Sequence, residues 1–285
     1  MKWMISKIPP SKNFIRRWLL RLGVASETTS LLDYHRIPIQ LIVSSEIESG
    51  TRLHSCQKEP EVIQWIEEEF QPEDVFYDIG ANIGAYTLVA AAYWKGSIQV
   101  ISFEPSGINY GRLLSNLRLN GLTERVIALP VALSDQTRLD TFHYQNTLAG
   151  GALHALGNAT DSQGNPFDPS FSTDVLAFTL DDLIEQFHLP APTQIKLDVD
   201  GIENRILNGG RKTLFNVKSL MVEIDGENPH ATGIRSFLKE CGFCETAVYP
   251  YRYGKTQPQF QSVSNVLFKR TVTDQPVTPL PKRSR

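Results

Sequence analysis

Acidic residues stand where apolar, strand-like runs break off. Asp78 follows Val75-Phe76-Tyr77, Glu104 follows Gln99–Phe103, and Asp198 and Asp200 close Thr193–Asp200. Open α/β sheets hold their ligands at the carboxyl edge of the strands, so carboxylates at these tips would meet hydroxyls or a cationic group. In Asp78-Ile-Gly-Ala-Asn-Ile-Gly84, two glycines lack the Cβ that would keep a ligand off the backbone. The helical pattern from Tyr86 to Tyr93 then turns its first N–H groups toward the same crevice. The turn lacks the third glycine of the dinucleotide fingerprint, and no Lys-Ser/Thr pair follows to cradle phosphates.

The ligand these features suit is S-adenosylmethionine. Glu104 lies at about the separation of a ribose-binding carboxylate, ~20 residues on or slightly more, and Asp78 would stand near an amino-acid ammonium. Lys196, Asp198 and Asp200 alternate with Ile195, Leu197 and Val199, which places three charged side chains on one face of a buried strand. Buried charges persist when they are paired or used. Part of this set reads as a structural ion pair. The favoured reading is catalytic: Asp198 or Asp200 accepts or orients a hydroxyl proton while Lys196 holds the aspartates ionised. Glu223 and Asp225 at the next strand end offer oxygen ligands for Mg²⁺, although a base without a metal is preferred.

Five ordered motifs carry a resemblance. Asp78-Ile-Gly-Ala-Asn-Ile-Gly84, Phe103-Glu-Pro105, Asn116 to Leu122, Val131-Ala-Leu-Ser134 and Ile195 to Glu203 together resemble the FkbM family of methyltransferases, class I enzymes dependent on S-adenosylmethionine. The likeness covers about residues 60 to 270 and departs at Asp200, where the family usually carries glutamate. A carboxylate is kept, one methylene shorter in reach. The resemblance implies cofactor contacts at Asp78, Gly80, Ala81, Asn82, Gly84, Glu104, Pro105, Asn109, Ala132, Leu133 and Asp198, with Ala132 and Leu133 beside the adenine. It also implies O-methylation of a hydroxyl on a sugar, a glycolipid or polysaccharide, or a secondary metabolite. The rivals are a nicotinamide-dependent oxidoreductase or epimerase, which needs the missing third glycine, and a binding module that has kept the fold without turnover.

The elements that must position these groups follow from periodicity. The expected fold is α/β, a doubly wound, Rossmann-like, seven-stranded, mostly parallel sheet with an antiparallel last strand. An N-terminal helical and hairpin extension (1–58) precedes the catalytic domain (59–272), and a tail (273–285) rich in proline and basic residues is expected to be disordered. The third strand is read from Val126 to Leu133. Between the third and fourth strands, residues 134–174 lose periodicity and are read as a substrate-facing lid in which His143, Tyr144 and His154 meet a hydroxyl. His54 is a weaker candidate.

With 285 residues and 41% hydrophobic content, the chain can bury an extensive core. A net charge of −3 provides no basic field for a nucleic acid, so the expected partner is a small molecule or glycan. Of the three cysteines, Cys56, Cys241 and Cys244, the last two lack the partners of a zinc or redox site and are read as buried and structural, and reduced thiols in the cytoplasm are the expected setting. Phe14, Ile15, Trp18, Leu19 and Leu22 share a helical face opposite Arg16, Arg17 and Arg21. Such a helix packs on its own domain or lies on an anionic membrane surface.

Overall fold

A computed structural model of the chain describes residues 27–252 and 260–271. The N-terminal amphipathic helix and the C-terminal tail expected from sequence lie outside them.

A hairpin of β1 (Thr28–Leu31) and β2 (Gln40–Val43) leads into α1 (Glu46–Gly50), α2 (Ser55–Lys58) and α3 (Pro60–Glu68). The sheet then begins with β3 (Val75–Ile79), α4 (Ala85–Trp94), β4 (Gln99–Phe103), α5 (Gly107–Leu119) and β5 (Val126–Leu129). A smaller sheet follows, of β6 (Ala132–Leu133), β7 (Arg138–Tyr144), β8 (Ala155–Leu156) and β9 (Phe171–Phe178). The chain returns through α6 (Leu180–Phe187), β10 (Gln194–Leu197), α7 (Glu203–Asn208), β11 (Ser219–Asp225), α8 (Ala231–Glu240), β12 (Phe243–Pro250) and β13 (Val263–Arg270).

The large sheet has the order β12-β13-β11-β10-β3-β4-β5, with β13 antiparallel to both neighbours and β11, β10, β3, β4 and β5 parallel. This is the doubly wound, seven-stranded arrangement expected. The chain order reverses between β10 and β3, the switch point at which such sheets bind ligands. All five residues of β3 are buried, because helices cover both faces of the sheet.

The hairpin belongs to the same core. Leu41 and Val43 pack in one apolar cluster with Leu88 and Leu113 of α4 and α5. Asn116 and Asn120 accept the backbone N–H groups of Ile42 and Gln40 at 2.9 and 2.8 Å, tying that strand to α5.

Three expectations are corrected here. The third strand does not run through to Leu133: Pro130 cannot donate to a ladder, and the chain crosses there to the small sheet, where β6 pairs with β9. Residues 134–174 are not shapeless, since β7 and β9 pair antiparallel along seven residue pairs. The fourth strand stops at Leu197, so Asp198 and Asp200 lie in the turn beyond it and Asp200 takes a left-handed φ of 60°. Among the described residues no helix is long and apolar enough to cross a membrane.

Candidate active site

The glycine turn is dictated by packing. Gly80 has φ +84°, and a Cβ there would sit 1.8 Å from the carbonyl oxygen of Asp198. Gly84 has φ +91° and would meet the Leu113 side chain at 2.4 Å. Both glycines are therefore required by neighbouring protein rather than by ligand approach alone, which corrects the sequence reading. The N–H groups of Gly80 and Ala81 both donate to the Phe103 carbonyl at 3.0 Å, locking the turn to the end of β4. Glu104 accepts from the backbone N–H groups of Asn82 at 2.7 Å and Ser106 at 2.9 Å. Burial still dominates and raises this carboxyl to about 7.

These groups border a cavity of about 320 Å³ between the strand tips. Gly80, Asn82, Glu104, Pro105, Asn109 and Asp198 all line it. A narrower apolar slot of about 40 Å³ adjoins it and is lined by Ala132, Leu133 and Val199, with Gly80 and Pro105 shared by both. Asp78, Ala81 and Gly84 line neither. Asp78 lies beneath the floor, where Oδ2 accepts from the Thr87 hydroxyl at 2.5 Å and Oδ1 has no hydrogen-bond partner among the described residues. Its pKa is raised by burial, against the pull of Lys196.

Asn82 and Asn109 spend their side chains on a strap. The Asn82 amide donates to the Gly151 carbonyl at 2.7 Å, and Asn109 donates to the same oxygen at 3.0 Å while accepting from Gly150 N–H at 2.9 Å. Arg52 holds the Gly150 carbonyl at 2.9 Å and Ser45 the Ala149 carbonyl at 2.6 Å. The insertion is thus fastened across the crevice by the glycine turn, α5 and the N-terminal segment.

Charge concentrates at the end of β10. Lys196, 1% exposed, pairs with Asp198 at 2.6 Å, and its ammonium lies 4.9 Å from the centre of the Tyr86 ring. The Tyr86 hydroxyl donates to Glu59 at 2.7 Å, and Glu59 pairs with Lys58 at 2.5 Å. Burial opposes ionisation of Asp198, but Lys196 and Lys58 outweigh it and hold the carboxyl below its ordinary value. Glu59 is likewise held low by Lys58 and Lys196 against burial. Glu223 is pushed well above its ordinary value by burial and by Asp198. Glu59, Asp198 and Glu223 bring one oxygen each within 4.8 Å of one another, a spacing that could hold a cation. The two lysines already balance the two carboxylates held ionised there.

Asp225 stands apart from this group, accepting from Ser162 at 2.9 Å and Ser262 at 2.6 Å. Asp200 is also separate from the Lys196 pair. It accepts from the Leu153 N–H at 2.7 Å, and burial together with Asp198 raises it to about 6. Asp200 and Glu223 line both the first cavity and a second one of about 380 Å³ that continues from it beneath the insertion.

Sequence reasoning missed Arg52, Lys58 and Glu59, all three within or next to the N-terminal extension. Lys58-Glu59 immediately before the proline that starts α3 was the one available signal. Of the insertion candidates, His154 lines both cavities. His143 is occupied by Ser172 and the Gly157 carbonyl outside them, and the Tyr144 hydroxyl accepts from Gly107 N–H. His54 does not line the crevice. The three cysteines are free; Cys241 is half-buried and Cys244 exposed rather than buried, the latter lying on β12 at the edge of the sheet. The oxidoreductase rival would also need a Tyr-x-x-x-Lys proton relay, and Tyr251 and Lys255 have that spacing, against the expectation that none is present; Tyr251 borders the crevice, and Lys255 lies outside the described residues.

A Rossmann-like sheet whose switch-point crevice joins an acid-tipped pocket to an apolar slot can hold a nucleotide-like ligand. Residues 78–244 match the methyltransferase FkbM domain, and the chain belongs to that family. It is 26% identical over 211 residues to the hexuronic acid methyltransferase AglP of Haloferax volcanii, covering 74% of this chain and 80% of the relative. It is 27% identical over 198 residues to the 31-O-demethyl-FK506 methyltransferase FkbM of Streptomyces tacrolimicus, covering 63% and 76%. Among solved structures, TYW2 of M. jannaschii in complex with AdoMet aligns with a TM-score of 0.44 and 13% identity over 86% of this chain and 87% of that one. The crevice suits the cofactor that methyltransferases of this family use. Glu104 stands where hydroxyls would be met, the Ala132–Leu133 slot is apolar, and the ionised Asp198 suits a nearby positive charge.

Proposed function

We propose that this enzyme methylates a hydroxyl of a sugar or secondary metabolite, with S-adenosylmethionine as donor and Asp200 as the general base. The observation that carries this reading is the position of Asp200, on the boundary shared by the two cavities. The bound cofactor supplies an electrophilic methyl: the new O–C bond forms as the S–C bond breaks, and that electron pair stays on sulfur.

The chain's own residues provide the rest. Glu104 and the Ala132–Leu133 slot orient the donor, and Asp198, kept ionised by Lys196, faces its positive charge. The base must be unprotonated at the start of transfer and near the working pH in affinity, which Asp200 at about 6 satisfies better than the depressed Asp198. The strap over Gly150 and Gly151 keeps water from the reacting groups. Lys58 and Lys196 hold Asp198 and Glu59 ionised, and the reading assigns no step to a metal. The acceptor is a small molecule or glycan, and the free thiols suit a cytoplasmic setting.

Initial rates of S-adenosylhomocysteine release should rise with pH through about 6 and then level, as Asp200 ionises. EDTA should leave them unchanged. Loss of activity in EDTA with recovery on Mg²⁺ would reassign Glu59, Asp198 and Glu223 as ligands.

A further inference from the structure

The second cavity constrains the charge of the acceptor. Six carboxylates border it, Asp161, Asp200, Glu203, Glu223, Asp225 and Glu227, and no lysine or arginine does among the described residues. Its one imidazole, His154, is held neutral, pushed down to about 4 by burial and by Arg52. Lys58 and Arg52 border only the donor side of the crevice.

The crowding shows in the acids themselves. Asp200, Glu203 and Glu223 are all raised, first by burial and then by one another or by Asp198. Asp225 is the exception, held low against burial by the Ser262 and Ser162 hydroxyls and the Glu227 N–H. An acceptor bringing its own carboxylate would add a like charge to a wall on which no cation stands among the described residues, and like-charge contacts are strongly disfavoured. Hydroxyls can donate to the ionised carboxylates and accept from those that hold a proton, and an ammonium relieves their repulsion. Phe260 adds an aromatic face to the same wall.

We infer that the acceptor is a glycosyl unit without a carboxylate, and that an amino sugar is preferred to a hexuronic acid. This narrows the proposed function and rests on it. It also sets this chain apart from its relative named for hexuronic acid.

The test uses the full chain with saturating S-adenosylmethionine and three pools of methyl glycosides in gluco, galacto and manno forms: neutral sugars, amino sugars and uronic acids. Methyl transfer is read as S-adenosylhomocysteine release. The expected order in kcat/KM is amino sugar at or above neutral sugar, with uronic acid lower by about tenfold or more. The doubly neutralised variant Asp161→Asn, Glu227→Gln should shrink the gap between uronic and neutral sugars by several-fold, with S-adenosylmethionine affinity unchanged. Preference for uronic acids, a gap the variant does not move, or transfer to none of the pools by a protein that still binds S-adenosylmethionine overturns the inference. Absence of S-adenosylmethionine binding would instead remove the reading beneath it.

Discussion

The two walls of the crevice are built on different terms. The donor wall, from β3, β4 and β10, is sealed: its turns are locked backbone to backbone, and its lysines and carboxylates are paired inside the core. The acceptor wall is assembled from separate pieces: Leu153, His154 and Asp161 of the insertion face Asp200, Glu203 and Glu223 beyond β10 and on β11, while the insertion's β7 and β9 expose alternate residues on one face, among them Leu139 opposite Leu176. Its six carboxylates gather with no lysine or arginine among the described residues that line it. On the proposed reading, the wall specified by packing would seat the cofactor, and the wall assembled from loops would set what is methylated.

Substitutions that strike each wall alike make the contrast measurable, and glycines show it most sharply. Gly80 and Gly164 share a left-handed φ, but a Cβ at Gly164 meets nothing within 4 Å. Gly80→Ala should cost more than about 3 kcal/mol and give little folded protein, whereas Gly164→Ala should cost about 1 kcal/mol from backbone strain alone. Denaturant unfolding of both variants measures the gap, and equal losses would show the donor turn to be less tightly packed than described.

Asp200→Asn should lower kcat by about 10²- to 10⁴-fold while calorimetry finds S-adenosylmethionine binding intact, and the rise in rate near pH 6 should vanish. Asn109→Ala releases two of the strap's hydrogen bonds and should weaken S-adenosylmethionine binding by about tenfold, since each bond contributes about 1 kcal/mol. Faster amide exchange at Gly150 and Gly151 should accompany it.

Glu203→Gln tests the unpaired acids through stability. The folded carboxyl titrates at about 7 against 4.5 as the ordinary value, so the folded state holds the extra proton and stability falls as pH rises between them. The variant keeps an acceptor for Gly201 N–H and should raise Tm at pH 8 more than at pH 5. The smallest effect belongs to Leu139→Ser, which sits on the exposed face and should change stability by less than about 0.5 kcal/mol.

The donor wall was the legible one. Buried parallel strands read as apolar runs, so Asp78, Glu104 and Asp198 could be placed at strand tips from sequence, although Asp78 proved to lie under the cavity rather than in it. Thr179 caps α6, its hydroxyl accepting from Asp182 N–H at 3.0 Å, and the Thr-x-x-Asp spacing is a helix-start signal that a sequence carries openly. The small sheet was not, because β7 and β9 mix polar and apolar residues on strands with one wet face and glycines between them. Lys58 and Glu59 escaped for another reason: their role depends on the fold bringing α2 against β10 and β11, which local spacing cannot express. The split of the third strand was marked by Pro130 and was passed over.

A crystal structure of the full chain with S-adenosylhomocysteine would test the central claim most directly. The account places adenine in the Ala132–Leu133 slot, ribose hydroxyls on Glu104, and sulfur on the Asp198 side with Asp200 facing the second cavity. A ligand seated away from Glu104, or with its sulfur turned from Asp198 and Asp200, would contradict it.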